Sequence, residues 1–229
     1  MSWAFRQTHL LLMSSFMVLV YTGFALKYPE SWWAAPLLAW ESTFGLRGWI
    51  HRVAGVALLF AGVVHVLHLA LDRQARACIL EMWPAWEDVH ELKERVLYYL
   101  GRRPTPPEAP WLGYGEKAEY LAVVWGTLLM GVTGVMLWLE SLVLRWLPSW
   151  TLDMATAIHY YEAILATLAI VVWHFYAVIF DPSVYPMDPA WLNGQSAPGR
   201  ARERAAPARP APRRSPGREP SPPEEPKSG

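Results

Sequence analysis

Four long apolar runs constrain this 229-residue chain more than any other feature. They cover His9–Leu26, Val53–Leu71, Tyr120–Leu139 and Ala163–Phe180, and none contains Asp, Glu, Lys or Arg. Each is 18 to 20 residues long, enough for a helix rising 1.5 Å per residue to cross about 30 Å of hydrocarbon. Backbone in lipid has no water to bond, so segments of this kind must close their own hydrogen bonds as helices. The first run exceeds a secretory signal core and carries His9 and Tyr21. It is therefore read as a retained span, although Gly23-Phe24-Ala25 is a weak cleavage-like match.

The sequence thus predicts an all-α fold: an integral membrane four-helix bundle with spans at about 8–27, 49–71, 118–140 and 155–180. A membrane domain would occupy 1–193. From 194 to 229 the chain is almost entirely Pro, Arg, Ala, Ser and Glu. It has too little apolar surface to offset its ordering entropy and is expected to be disordered. The whole chain is 53% hydrophobic and only 17% charged, where soluble domains have about a quarter charged.

Lys and Arg are unevenly placed. Sixteen lie in the N-terminus, the 72–119 connector and the tail, against four (Lys27, Arg47, Arg52, Arg145) on the other side. That asymmetry puts both termini in the cytoplasm and the protein in the cytoplasmic membrane. Trp32, Trp33, Trp40, Trp49, Trp146 and Trp150 fall where an interfacial belt would lie. Residues 87–100 read as an amphipathic helix, with Val89, Leu92, Val96 and Leu100 at helical spacing. Residues 31–40 read as an interfacial segment.

Six of the seven histidines lie in or at the edge of spans, only His90 being clearly in a loop. An ionisable group at membrane depth is costly and is a functional candidate by default. Neutral imidazole is a common metal ligand and an axial ligand of haem. His51 and His65 are 14 apart, which returns them to within roughly 40° of one face of the second helix. His159 and His174 are 15 apart, within roughly 60° on the fourth. Either interval rises about 21–23 Å, so two centres near opposite membrane surfaces are implied. Gly55, Leu58 and Gly62 share the histidine face, and Gly126, Gly131 and Gly134 thin the third helix. Glycines at such intervals are also ordinary in membrane helix packing. His68 reads as an interfacial residue. The single cysteine, Cys78, excludes an intrachain disulfide, a multi-thiolate iron–sulfur cluster and C-x-x-C-H haem attachment. By depth and helical phase, His65 pairs with His174.

Several motifs carry a family resemblance over about 5–194. They are Arg6-x-x-His9 with Thr22-Gly23, Arg47-x-x-x-His51-Arg52, Gly115-Glu116-Lys117, Thr133-Gly134, and His159 and His174 followed by Asp181-Pro182-x-x-Tyr185-Pro186. The chain resembles the di-haem cytochrome b subunits of respiratory formate dehydrogenases and nickel–iron hydrogenases. Within that group it looks closest to the cytochromes b that accompany multihaem c-type cytochromes. The resemblance implies two b-type haems, the outer held by His51 and His159 and the inner by His174 and His9. It also implies a menaquinone or ubiquinone site near Gly115, Glu116 and Lys117. Leu10 departs from the tryptophan usual after the first-helix histidine, and His65 remains the alternative inner ligand.

The expected function is electron transfer between the quinone pool and an external redox partner, as a subunit of a quinone-linked oxidoreductase. The partner would be a periplasmic multihaem c-type cytochrome, or else a dehydrogenase or hydrogenase subunit. The lipid bilayer surrounds the chain, and no nucleic-acid partner is expected. The rival readings are a haem-containing metal or superoxide reductase without quinone, a haem-free proton-relay transporter and a structural anchor.

Overall fold

The computed structural model describes residues 3–105, 113–181, 184–187 and 189–195. All regular structure among these is helical. Helix α1 (Trp3–Lys27) leads through two single-turn helices, α2 (Ala35–Leu38) and α3 (Glu41–Phe44), into α4 (Leu46–Leu71). Helices α5 (Arg73–Glu81) and α6 (Trp86–Tyr99) form the connector, and α7 (Tyr114–Trp138) and the short α8 (Glu140–Val143) follow. Helix α9 (Trp150–Leu168) continues as wider turns over Ala169–His174 and Tyr176–Phe180, and α10 (Ala190–Asn193) comes last. The predicted tail lies outside the described residues from 196 onward.

Four of these helices are long and apolar enough to cross a membrane: Trp3–Lys27, Leu46–Leu71, Tyr114–Trp138 and Trp150–Phe180. Their outward faces are apolar. Val53, Val56, Phe60, Val63 and Leu67 of α4 are all more than half exposed, at the three- and four-residue spacing of one helical stripe. In water that stripe would be an aggregation site, whereas in lipid it is the solvated face. The inward positions are small or polar: Ser15, Thr22, Ala25, Ala54, Ala61, Thr133 and Ala155 are buried. Small residues let helix backbones approach closely where no hydrophobic force drives helices together.

Each span starts and stops for local reasons. Gly45 takes the left-handed conformation (φ 59°) between α3 and α4, a backbone state open to glycine without a Cβ penalty. It has no side chain to cap α4, and Glu41 does so instead. Its carboxylate accepts from the N–H groups of Arg47 (2.6 Å) and Gly48 (3.2 Å) and pairs with the Arg47 guanidinium at 3.2 Å. A carboxylate there also meets the positive end of the helix dipole. The segment expected in the interface packs over this end of the bundle, where Ala34 and Leu37 are buried with Ala25 beside Trp33 and Ile50.

The start of α7 differs from expectation. Gly115, Glu116 and Lys117 lie inside its first turn rather than ahead of it. Glu116 accepts the Gly113 N–H at 3.1 Å and so satisfies one of the helix's unpaired donors. The amphipathic helix runs Trp86–Tyr99 and docks on that turn. Lys117 donates to both Asp88 oxygens, at 2.7 and 3.0 Å, and Glu91 accepts from Tyr114 N–H at 3.2 Å. Asp88 also accepts the Ala85 N–H at 2.7 Å. The Lys117 hydrogen bond, and after it that of Ala85, holds the Asp88 carboxyl below its ordinary range.

Candidate haem-ligand site

Helices α1 and α4 form one packed pair, and α7 and α9 form the other. Each pair presents one histidine toward the other pair. His51 of α4 and His159 of α9 face each other with ring centres 6.4 Å apart and ring planes at 59°. Each ring is held from behind by a threonine of the neighbouring helix. Thr22 Oγ1 donates to Val18 O at 2.7 Å and lies 2.8 Å from His51 Nδ1. Thr133 Oγ1 donates to Leu129 O at 2.8 Å and lies 2.9 Å from His159 Nδ1.

These bonds select the tautomer. A hydroxyl has one proton, and each threonine gives it to a carbonyl one turn back. The oxygen can then only accept from the imidazole, so both histidines carry N–H at Nδ1 and a lone pair at Nε2. That is the form in which an imidazole ligates a metal, with its other nitrogen oriented by an outside acceptor. Two imidazoles bound end-on to one metal ion, with bonds of about 2.0–2.1 Å, hold their ring centres about 6–6.5 Å apart. The observed separation fits a single iron between them.

The residue after each threonine is a glycine; at Gly134 a Cβ would be tight against the imidazole, whereas at Gly23 it would make an ordinary contact. A Cβ on Gly23 would lie 3.6 Å from His51 Cε1, and one on Gly134 would lie 3.3 Å from His159 Cε1. Two Thr-Gly dipeptides, on α1 and α7, thus place a hydroxyl behind each imidazole, and on α7 the glycine also leaves room for the ring.

The other predicted residues fall as follows. His174 sits in the wide-turn extension of α9 and donates from Nδ1 to Glu119 Oε2 at 3.2 Å. His9, on α1, is within electrostatic range of His174. Its Nδ1 is buried without a hydrogen-bond partner, and its ring meets Trp191 edge-on at 6.5 Å. The Arg6 guanidinium, one turn earlier, donates to Leu192 O and ties α1 to α10. His65 is brought to Tyr120, with Nε2 3.2 Å from the phenol oxygen and ring centres 5.9 Å apart. His68 lies 3.9 Å from Asp72 and exposed His90 3.9 Å from Glu94. Gly115 faces Trp173, whose Cζ2 would lie 3.6 Å from an added Cβ, while Glu116 and Lys117 have the partners described above.

Thr22, Thr133, Glu119 and Tyr120 are the functional candidates that sequence reasoning did not single out. Only the repeated Thr-Gly pair was visible beforehand, as part of a motif without a role. The glycine stripes have mixed duties: a Cβ on Gly131 would strike Leu59 Cδ2 at 2.8 Å, and one on Gly126 would meet Glu162 Oε1 at 3.0 Å.

No individually curated protein matches this chain. A family model, described as prokaryotic cytochrome b561, matches residues 1–186. With four membrane-crossing helices and a family match over most of its length, the chain belongs to the prokaryotic cytochrome b561 family, a multi-pass membrane b-type cytochrome of electron transfer related to those of nickel–iron hydrogenases.

Proposed function

We propose that the chain holds two b-type haems and carries electrons between a quinone at the cytoplasmic side and a redox partner at the other. The observation that carries this is the His51–His159 pair, with ring centres 6.4 Å apart and both Nδ1 atoms committed to threonines. Haem supplies reversible one-electron chemistry at iron. The chain supplies ligation, spacing and a low-dielectric surround.

His51 and His159 hold the outer group, and His174 and His9 hold the inner. Support for His9 over His65 comes from their surroundings. His9 lies near His174 with an unpartnered Nδ1, whereas Nε2 of His65 is engaged by Tyr120. The wide turns help here. Turns closed by longer hydrogen bonds advance less than 100° per residue, which rotates His174 back from where fifteen α-helical residues would leave it. A menaquinone or ubiquinone binds close to the inner site, beside Gly115 and Trp173, with Glu116 and Lys117 building the turn that borders it. The external partner is a multihaem c-type cytochrome or, failing that, a dehydrogenase or hydrogenase subunit, in keeping with the hydrogenase-type family.

The test is a pyridine haemochrome assay on purified protein and variants. The wild type should carry about two haems per chain. His51→Ala and His159→Ala should each remove the same one. His9→Ala and His174→Ala should each remove the other, with His65→Ala retaining both. A purified chain without a Soret band would end the haem reading, and loss of one haem in His65→Ala but not in His9→Ala would reassign the inner ligand. Membranes in which quinol fails to reduce the haem would favour a reductase that uses no quinone.

A further inference from the structure

The two ligand sites differ in what stands behind the imidazoles. At the His51–His159 site both acceptors are neutral hydroxyls, Thr22 at 2.8 Å and Thr133 at 2.9 Å. Behind His174 the acceptor is the Glu119 carboxylate, at 3.2 Å from Nδ1. Its second oxygen, Oε1, is buried with no hydrogen-bond partner among the described residues. The bond joins α7 to the extension of α9 across 55 residues of sequence.

Resting on the ligand assignment above, we infer that Glu119 makes the His174 centre the lower-potential of the two. Two effects act with the same sign. A carboxylate accepting the Nδ1 proton raises the basicity of the imidazole, which strengthens its bond to the more oxidised iron. A negative charge near the metal also favours the ferric state, whose net charge is one unit more positive, and does so strongly where little water screens it. Hydrogen bonding to the ligand and local charge are recognised levers on haem potential. Neutral hydroxyls give the outer site less of the first effect and none of the second.

The electron balance is simple. With haem bound at both sites, His174 and His9 would hold the lower-potential group and His51 and His159 the higher, and the two would exchange a single electron without a proton.

The experiment is a spectroelectrochemical titration of the detergent-solubilised holoprotein at one fixed pH, with haem content measured on the same samples. Wild-type protein should show two one-electron transitions. Glu119→Gln keeps size and an acceptor oxygen but removes the charge. It should raise the lower transition, with both haems present and the upper one unmoved. Each tenfold change in electron affinity reads as about 59 mV. Glu119→Asp, which retains the carboxylate, should keep the lower transition below its position in Glu119→Gln. The inference is overturned if Glu119→Gln leaves both transitions in place or moves only the upper one. If Glu119→Gln binds a single haem, survival of the upper transition supports the assignment, and survival of the lower one overturns it. Wild-type protein with one haem would instead refute the two-centre reading on which this rests.

Discussion

The threonines behind His51 and His159 are small groups with a measurable task. Thr133→Val is close to isosteric, so packing changes little, but it leaves the His159 Nδ1–H facing a methyl group. An unsatisfied buried donor costs about 1–3 kcal/mol, and loss of such an orienting partner typically costs 10- to 100-fold in metal affinity. Thr133→Val should therefore release the outer haem to excess apomyoglobin faster than wild type by about that factor, and Thr22→Val should behave alike. Equal rates would mean that the hydroxyls only satisfy the carbonyls of Leu129 and Val18. The histidines themselves were legible in the sequence because imidazole at membrane depth needs a reason. The threonines were not, since serine and threonine are common in spans and their value here depends on a neighbouring helix. Glu119 was hidden differently: it sits just before the apolar run that begins at Tyr120, where a charge reads as the end of a span.

At the scale of elements, the connector helix α6 is fixed to the first turn of α7 chiefly through Asp88, Glu91 and Lys117. The depressed carboxyl of Asp88 gives this docking a pH dependence whose sign is definite. A carboxylate with a lowered folded pKa contributes stability that is present above its ordinary value of 3.8. That contribution is lost as pH falls through the folded value below it. Proteolysis of the 82–113 region in native membranes should accordingly accelerate only below about pH 4, and Asp88→Asn should make it fast at neutral pH as well. An Asp88→Asn chain cut no faster than wild type at pH 7 would show that Glu91 suffices. Apolar periodicity had marked this helix to within a residue, while the start of α7 was placed late. The reason is physical. Hydropathy finds where lipid begins, but a helix can extend into water when capped and ion-paired, as α7 does through Glu116 and Lys117. The wide turns near His174 left no trace in composition, being a matter of hydrogen-bond register.

For the whole molecule, four runs free of formal charge were enough to foresee the architecture, because lipid leaves the backbone few choices. Sidedness rests on the distribution of Lys and Arg. Alkaline phosphatase fused after Tyr28, between α1 and α4, should be active, and fused after Trp83, between α5 and α6, inactive. The reverse pattern would invert the protein and, with it, the side on which the proposed quinone site lies.

The arrangement of ligands and orienting groups has a consequence for biogenesis. His51 is oriented by Thr22 within the α1–α4 hairpin, and His159 by Thr133 within the α7–α9 hairpin. Each hairpin therefore carries its own half of the proposed outer centre. A single imidazole grips iron weakly, but once the hairpins lie side by side the second is presented at a high effective concentration. On the proposed ligand assignment, haem would act as a clasp between the two hairpins. Without haem, the two hairpins would be held by the packing of α4 on α7 and by the α5–α6 connector.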